Sequence, residues 1–185
     1  QRPAIAIDAV LATKISSAVM TSIDAIDPDA PSVLMLTSGS TSLPKAVIQT
    51  QRMITSNLAQ GCQVLGEPAG WDDVMLDWLP WSHVSGAFTK MGVMISGGTL
   101  YIDGGRPMAG AFDTTVKNLK DVSIRFFTNV PAGYAMLADA MDNDPHLRRA
   151  FFSNLHLALY GGAGLPQSLY DRLQTMAIKE TGKRI

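Results

Sequence analysis

Short apolar runs alternate with segments of helical period along most of the chain, and this alternation limits the possible folds more than any other feature. Residues 33–36, 74–80, 99–103, 122–127 and 155–160 read as strands; the fourth is β-branched and aromatic. Between them, apolar residues recur at helical spacing. Met53, Leu58, Cys62 and Leu65 form one set, and Phe88, Met91, Met94 and Ile95 form another, closed by Gly97-Gly98. Phe112, Val116 and Leu119 make a third face. Pro131 opens a fourth helix through Tyr134, Leu137 and Met141. Pro166 opens a fifth, with Leu169, Leu173 and Met176 on one side and Gly182 past its end. No short hairpin signal such as Asn-Gly interrupts the rhythm. Right-handed βαβ crossovers follow, and with them a three-layer α/β/α fold around a mostly parallel sheet. Residues 1–30 stand apart as a helical segment, with Ile15, Val19 and Met20 on one face, that runs into a linker broken by Pro28. The α/β subdomain spans 31–185.

On such a sheet, ligands bind beyond the carboxyl ends of the strands. The loops of interest are therefore 37–45, 80–86, 103–110, 128–131 and 160–165. The first reads TSGSTSLPK: five hydroxyls, one glycine, one proline and one cation in nine residues. Small residues let backbone N–H groups approach an anion, and Gly39 permits a positive φ. Hydroxyls add donors that rotate toward phosphate oxygens, and Lys45 supplies a point charge. The loop suits a polyphosphate, although it lacks the spacing of the standard P-loop; a plain polar surface loop has the same composition.

A serine hydrolase is the rival reading. Ser40 is flanked by small residues as in a nucleophile elbow, with His83 as base and Asp103 as its orienter. The flanking glycines are incomplete, the order Ser-His-Asp differs from that of α/β-hydrolases, and Lys45 has no role in it. A non-catalytic nucleotide-binding module is a third reading. Net charge is −1, which offers no basic field to nucleic acid, and no apolar run nears the roughly 20 residues of a membrane helix. One cysteine excludes a disulfide framework, and the default compartment is the cytoplasm. No His/Cys/carboxylate cluster has metal-cage spacing. His146 reads as a surface helix residue, His156 as a packed strand residue and Cys62 as buried.

The segment LMLTSGSTSLPKAV resembles the signature loop of the adenylate-forming superfamily, which includes acyl-CoA synthetases, luciferases and peptide-synthetase adenylation domains. It matches at Thr37, Ser38, Gly39, Ser40, Thr41, Pro44 and Lys45, and departs at Ser42 and Ala46, where the family has glycine. LPWSHVSG, at 79–86, resembles the second motif, beside the acyl pocket. YGGAGL, at 160–165, resembles the Gly-Gly-Ala-Pro-Leu segment beside adenine, with Gly164 in place of proline. AVIQTQRM, DWLPWSHVSG and GGTLYIDGGRP look most like feruloyl-CoA synthetases.

The resemblance implies an ATP-dependent acid–CoA ligase, with Mg²⁺ entering on ATP and coenzyme A as co-substrate. Its other substrate is a small carboxylic acid, aromatic and of the hydroxycinnamate kind, such as ferulate. By the same resemblance, Thr37, Ser38, Gly39, Ser40, Thr41 and Lys45 hold the β- and γ-phosphates, His83 lines the acyl pocket, and Gly161, Gly162 and Ala163 lie against adenine. The family's Tyr-Gly-x-Thr-Glu segment, ribose-binding aspartate, hinge and C-terminal lysine do not occur in the chain. The expectation is an internal fragment of the N-terminal domain that does not turn over substrate by itself.

Overall fold

The computed structural model describes residues 6–37, 45–65 and 74–185. The chain divides into two units, residues 1–56 and 57–185.

In the first unit, α1 (Ile7–Leu11) and α2 (Ser17–Asp24) bury no residue. The Ser16 hydroxyl caps α2 by accepting from the Val19 amide. Ile15 lies outside the helix, and Val19 and Met20 within it are exposed. Two strands follow, β1 (Pro31–Thr37) and β2 (Lys45–Thr50), paired antiparallel with Leu34 opposite Ile48 and Thr37 opposite Lys45. This pairing corrects the expectation of uninterrupted βαβ units. The hydroxyl-rich segment joins two strands of a hairpin, and the second strand, which holds Val47 and Ile48, is not among those the sequence pattern predicts. A connection of this length carries no two-residue turn signal. Arg52 closes the unit with a fork on Asp29, Nε to Oδ1 at 2.7 Å and Nη2 to Oδ2 at 3.0 Å.

Helix α3 (Gln51–Leu65) leads into the second unit. Among the described residues its strands are β3 (Val74–Asp77), β4 (Thr99–Ile102), β5 (Phe126–Asn129) and β6 (Leu157–Tyr160). They lie in the order β4-β3-β5-β6, all parallel, so the α/β fold with a parallel sheet is as expected. Strand β5 begins later than the sequence suggests: Ile124 is fully buried, yet it precedes the strand, and Ser123 beside it is exposed. Helix α4 (Val84–Ser96) joins β3 to β4. Helix α5 (Phe112–Asp121) returns past β3 to β5, and α6 (Pro131–Asn143) with α7 (Pro145–Phe152) carries the chain on to β6. Helix α8 (Gln167–Thr181) ends at Gly182, which has φ 76°.

The connections after β3 and β5 run in opposite directions along the sheet. With right-handed crossovers, α4 lies on one face and α5 to α7 on the other. Side-chain alternation agrees. Leu76 and Phe127 join Phe112, Leu119, Tyr134, Leu137 and Leu173 in one core, whereas Asp77, one residue on, meets Thr89 of α4. The core is rich in aromatics. Phe127 stands edge-on to Tyr134 and Phe151, with ring centroids 5.7 and 5.3 Å apart. Arg148 of α7 ties α8 to this core through Glu180 at 2.6 Å and also donates to the Met141 carbonyl.

Candidate functional site

Opposite connections from neighbouring strands leave a crevice at their carboxyl ends, here between β3 and β5. The chain leaves β3 through Asp77 and Trp78. The Asp77 Oδ1 accepts the Leu79 N–H at 2.9 Å and turns the backbone sharply. The Pro80 carbonyl then accepts the His83 N–H at 2.9 Å. Helix α4 starts immediately, with His83 as its N-cap. Gly86 lies so close beneath the turn that a Cβ there would fall 2.5 Å from the Pro80 carbonyl oxygen and 2.6 Å from that of Leu79. No larger residue fits without moving the turn.

His83 is exposed, and its Nδ1 accepts from the Ser85 amide at 3.3 Å, with the Ser85 hydroxyl 2.7 Å away. That capping bond puts the proton of the neutral ring on Nε2. His83 thus caps a helix and presents its free edge outward at the strand-end surface. Nearby, the Lys90 ammonium sits 4.8 Å over the Trp81 ring.

Asp77 is buried, and its Oδ2 has no hydrogen-bond partner. Burial pushes its carboxyl above the ordinary carboxylate range. The Leu79 amide, the nearby Thr89 hydroxyl and the Trp78 amide oppose that shift, and the neighbouring Asp103 adds to it. Asp103 itself is fully engaged elsewhere. Its Oδ2 accepts the Thr115 hydroxyl at 2.5 Å, and its Oδ1 accepts the Gly105 amide and Asn118 Nδ2, each at 2.9 Å. It therefore anchors the loop after β4 to α5. Among the described residues no hydrogen bond joins it to His83, so the hydrolase reading lacks its base–orienter pair.

On the other side of the crevice, Asn129 ends β5 with its side chain buried. Its Oδ1 accepts the Trp78 indole N–H at 3.2 Å and the Val130 amide at 2.8 Å, while Nδ2 is buried without a partner. Two accepted bonds of about 1 kcal/mol each are offset by an unpaired donor costing about 1–3 kcal/mol, so the amide adds little net stability. The Asn129 carbonyl accepts the Gly161 N–H at 3.3 Å. Residues 161–164 then run exposed past β6. Gly162 has φ 83°, a conformation that L side chains rarely adopt, and a Cβ at Gly161 or Gly164 would meet nothing within 4 Å. The result is a bare backbone surface that a flat ring can approach. Below it, the buried Tyr134 hydroxyl lies 3.0 Å from the Phe127 carbonyl and 2.8 Å from that of Leu159, and burial raises its pKa. A cavity of about 70 Å³ opens between Tyr134, Tyr160, Leu165 and Tyr170. It is well below the size of a cofactor site.

His83 and the loop holding Gly161, Gly162 and Ala163 therefore share the carboxyl edge of one sheet. Thr37 and Lys45 close the ladder of the hairpin in the first unit. Ser38, Gly39, Ser40 and Thr41 lie outside the described residues. His146 is exposed on α7; His156 is also exposed and stacks edge-on against Phe126 rather than packing inside, and Cys62 is only half-buried. Among the described residues, no three His, Cys, Asp or Glu side chains gather as a metal cage. Asp77 and Asn129 escaped sequence reasoning, whereas Trp78, beside Pro80, reads from the sequence as a pocket residue. The only local hint was an asparagine just before Val130-Pro131, at the head of a helix.

The AMP-binding enzyme family model matches residues 4–182. A 4-coumarate–CoA ligase 2 of Oryza sativa subsp. japonica is 31% identical over 154 residues, covering 81% of this chain and 26% of the relative. A sulfoacetate–CoA ligase of Cupriavidus necator is 35% identical over 121 residues, covering 64% and 22%. Among solved structures, a malonyl-CoA ligase ternary product complex with methylmalonyl-CoA and AMP bound aligns with a TM-score of 0.68 at 25% identity, covering 86% of this chain and 32% of that one. ATP-bound MatB from Rhodopseudomonas palustris aligns at 0.65 and 18% identity, covering 86% and 29%, a likeness of fold. The chain spans about a quarter of the length of these two ligase relatives.

Proposed function

This chain belongs to the AMP-binding enzyme family, and we propose that it supplies part of the active site of an ATP-dependent acid–CoA ligase. The observation that carries the reading is the family match over 4–182, together with relatives that are CoA ligases. In this reading the carboxylate of a small acid attacks the α-phosphate of ATP, and pyrophosphate leaves. The thiol of coenzyme A then displaces AMP to give the thioester. Such chemistry depends on positioning and charge stabilisation more than on covalent help.

Lys45 and the hydroxyls from Thr37 to Thr41 hold the β- and γ-phosphates, and Mg²⁺ arrives with the nucleotide. The bare backbone at Gly161, Gly162 and Ala163 takes the adenine ring; the positive φ at Gly162 and the open space around Gly161 and Gly164 support this. His83 borders the acyl group, with Nε2–H free to donate. The acid is a hydroxycinnamate such as ferulate. The resemblance to a 4-coumarate–CoA ligase supports an aromatic acid, while the sulfoacetate and malonyl-CoA ligases mark the alternatives to be tested. The domain division at residue 30 and a cytoplasmic site of action belong to the same proposal. Among the described residues no helix is long and apolar enough to cross a membrane.

The test is ATP–pyrophosphate exchange by the complete gene product carrying this chain. Ferulate, 4-coumarate, malonate and sulfoacetate are supplied one at a time. Exchange that depends on ferulate or 4-coumarate supports the whole reading. Exchange only with the aliphatic acids keeps the ligase and removes the hydroxycinnamate. No exchange with any carboxylic acid removes the ligase.

A further inference from the structure

We infer that Asn129 is a positioning residue that locks the turn bearing His83 and the loop beginning at Gly161 into one arrangement across the β3/β5 crevice. The inference rests on the ligase reading above. One residue makes all three attachments. Its Oδ1 accepts from Trp78, which starts the turn toward His83. The same oxygen accepts the Val130 amide at the head of α6. Its main-chain carbonyl accepts the Gly161 amide. The polar segments on both sides of the crevice are thereby tied to one buried residue, 1% exposed: the turn by its side chain and the Gly161 loop by its main chain.

Two features show that the amide is placed for this purpose rather than for packing. Gly133 makes room for it: a Cβ there would fall 2.2 Å from Oδ1. The amide also leaves its own Nδ2 buried and unpaired, a cost that an apolar side chain of similar volume would avoid. Turning the amide over would put Nδ2 against two N–H donors, so the orientation is fixed by chemistry. An asparagine oxygen is what allows one buried side chain to hold the indole and the helix start together. Catalysis on a bound acid and nucleotide needs the two loops in constant register, and a displacement of about 1 Å can cost about a hundredfold in rate.

Two measurements test this. In ¹H–¹⁵N spectra of the chain, Asn129→Ala should move the Trp78 indole N–H upfield and shift the His83 and Gly161 amides together. Asn129→Asp, which keeps an acceptor, should restore the indole position. Trp78→Phe should also shift both amides, and it serves if Asn129→Ala does not fold. Changes confined to α6 overturn the coupling. In the complete gene product, Asn129→Ala and Trp78→Phe should each lower kcat for exchange by about tenfold or more, with KM for ATP changed less than about twofold and the double variant no worse than the single ones. Unchanged kcat with a lowered melting temperature would reduce Asn129 to a structural residue and overturn the inference. Absence of exchange in the unsubstituted protein sinks the ligase reading instead, and the amide shifts still decide the coupling.

Discussion

The indole Nε1–H of Trp78, one residue past β3, donates to Oδ1 of Asn129, the last residue of β5, at 3.2 Å. The two residues are far apart in sequence, yet the bond spans the place where the strand connections diverge. Asp77 holds the same turn from its other side through the Leu79 amide. The His83 segment is therefore held by two buried polar side chains, and each of them leaves one polar atom unpaired.

Gly86→Ala should destabilise the fold by about 1–3 kcal/mol, because the added carbon meets backbone carbonyls rather than a side chain that could swing away. Urea unfolding followed by far-UV circular dichroism reads the effect. An unchanged midpoint would mean that the turn at 79–83 yields easily.

Asp77→Asn should make the protein more stable at pH 7. Burial raises the Asp77 carboxyl above its ordinary 3.8 in the folded state. The fold thus binds this proton more tightly than the unfolded chain does. The favourable contribution is complete below about pH 3.8 and is lost as pH rises through the folded value. The stability gap between variant and parent should open on going from pH 4 to pH 7. A variant weaker than the parent by the same margin at every pH contradicts this.

Asp144→Asn should show the opposite dependence. The Lys120 ammonium, 2.5 Å from Oδ2, and the Leu147 amide lower the Asp144 carboxyl to about 2, against an ordinary 3.8. Its contribution is present above pH 3.8 and lost as pH falls through about 2. Thermal midpoints of parent and variant should differ at pH 5 and converge toward pH 2. Parallel curves across that window exclude the ion pair as the cause.

Lys45→Ala should slow ATP–pyrophosphate exchange by the complete gene product by at least about tenfold, since it removes a fixed positive charge from the proposed phosphate loop. Exchange at the parent's rate would remove Lys45 from that role.

The parallel sheet was legible in the sequence because period-2 and period-3.6 patterns alternate and the helix stops are explicit. Gly97 and Gly182 both end helices with positive φ, as their positions suggest. The hairpin of β1 and β2 was not legible. Its two strands are separated by the segment whose hydroxyls drew attention for their chemistry, and no compact turn marks the reversal. Strand edges were also blurred. Ile124 is apolar because it enters the core, and residues 122–125 precede the ladder of β5.

The candidate site divides in the same way. Gly86, His83 and Gly162 stand in short motifs that resemble those of the family, so the sequence points to them. Asn129 stands in no such motif, and the sequence offers Asp103 only as an orienter for His83. In the fold Gly105, Thr115 and Asn118 occupy both oxygens of Asp103, so it does not orient His83. The strand–helix alternation from β3 onward, the helix ends and the family follow from the sequence alone, because each is written in neighbouring residues. Only the tertiary structure decided which strands adjoin, where the crevice opens and which buried side chains bridge it. Those depend on contacts between residues 51 apart, such as Trp78 and Asn129, which no local pattern encodes.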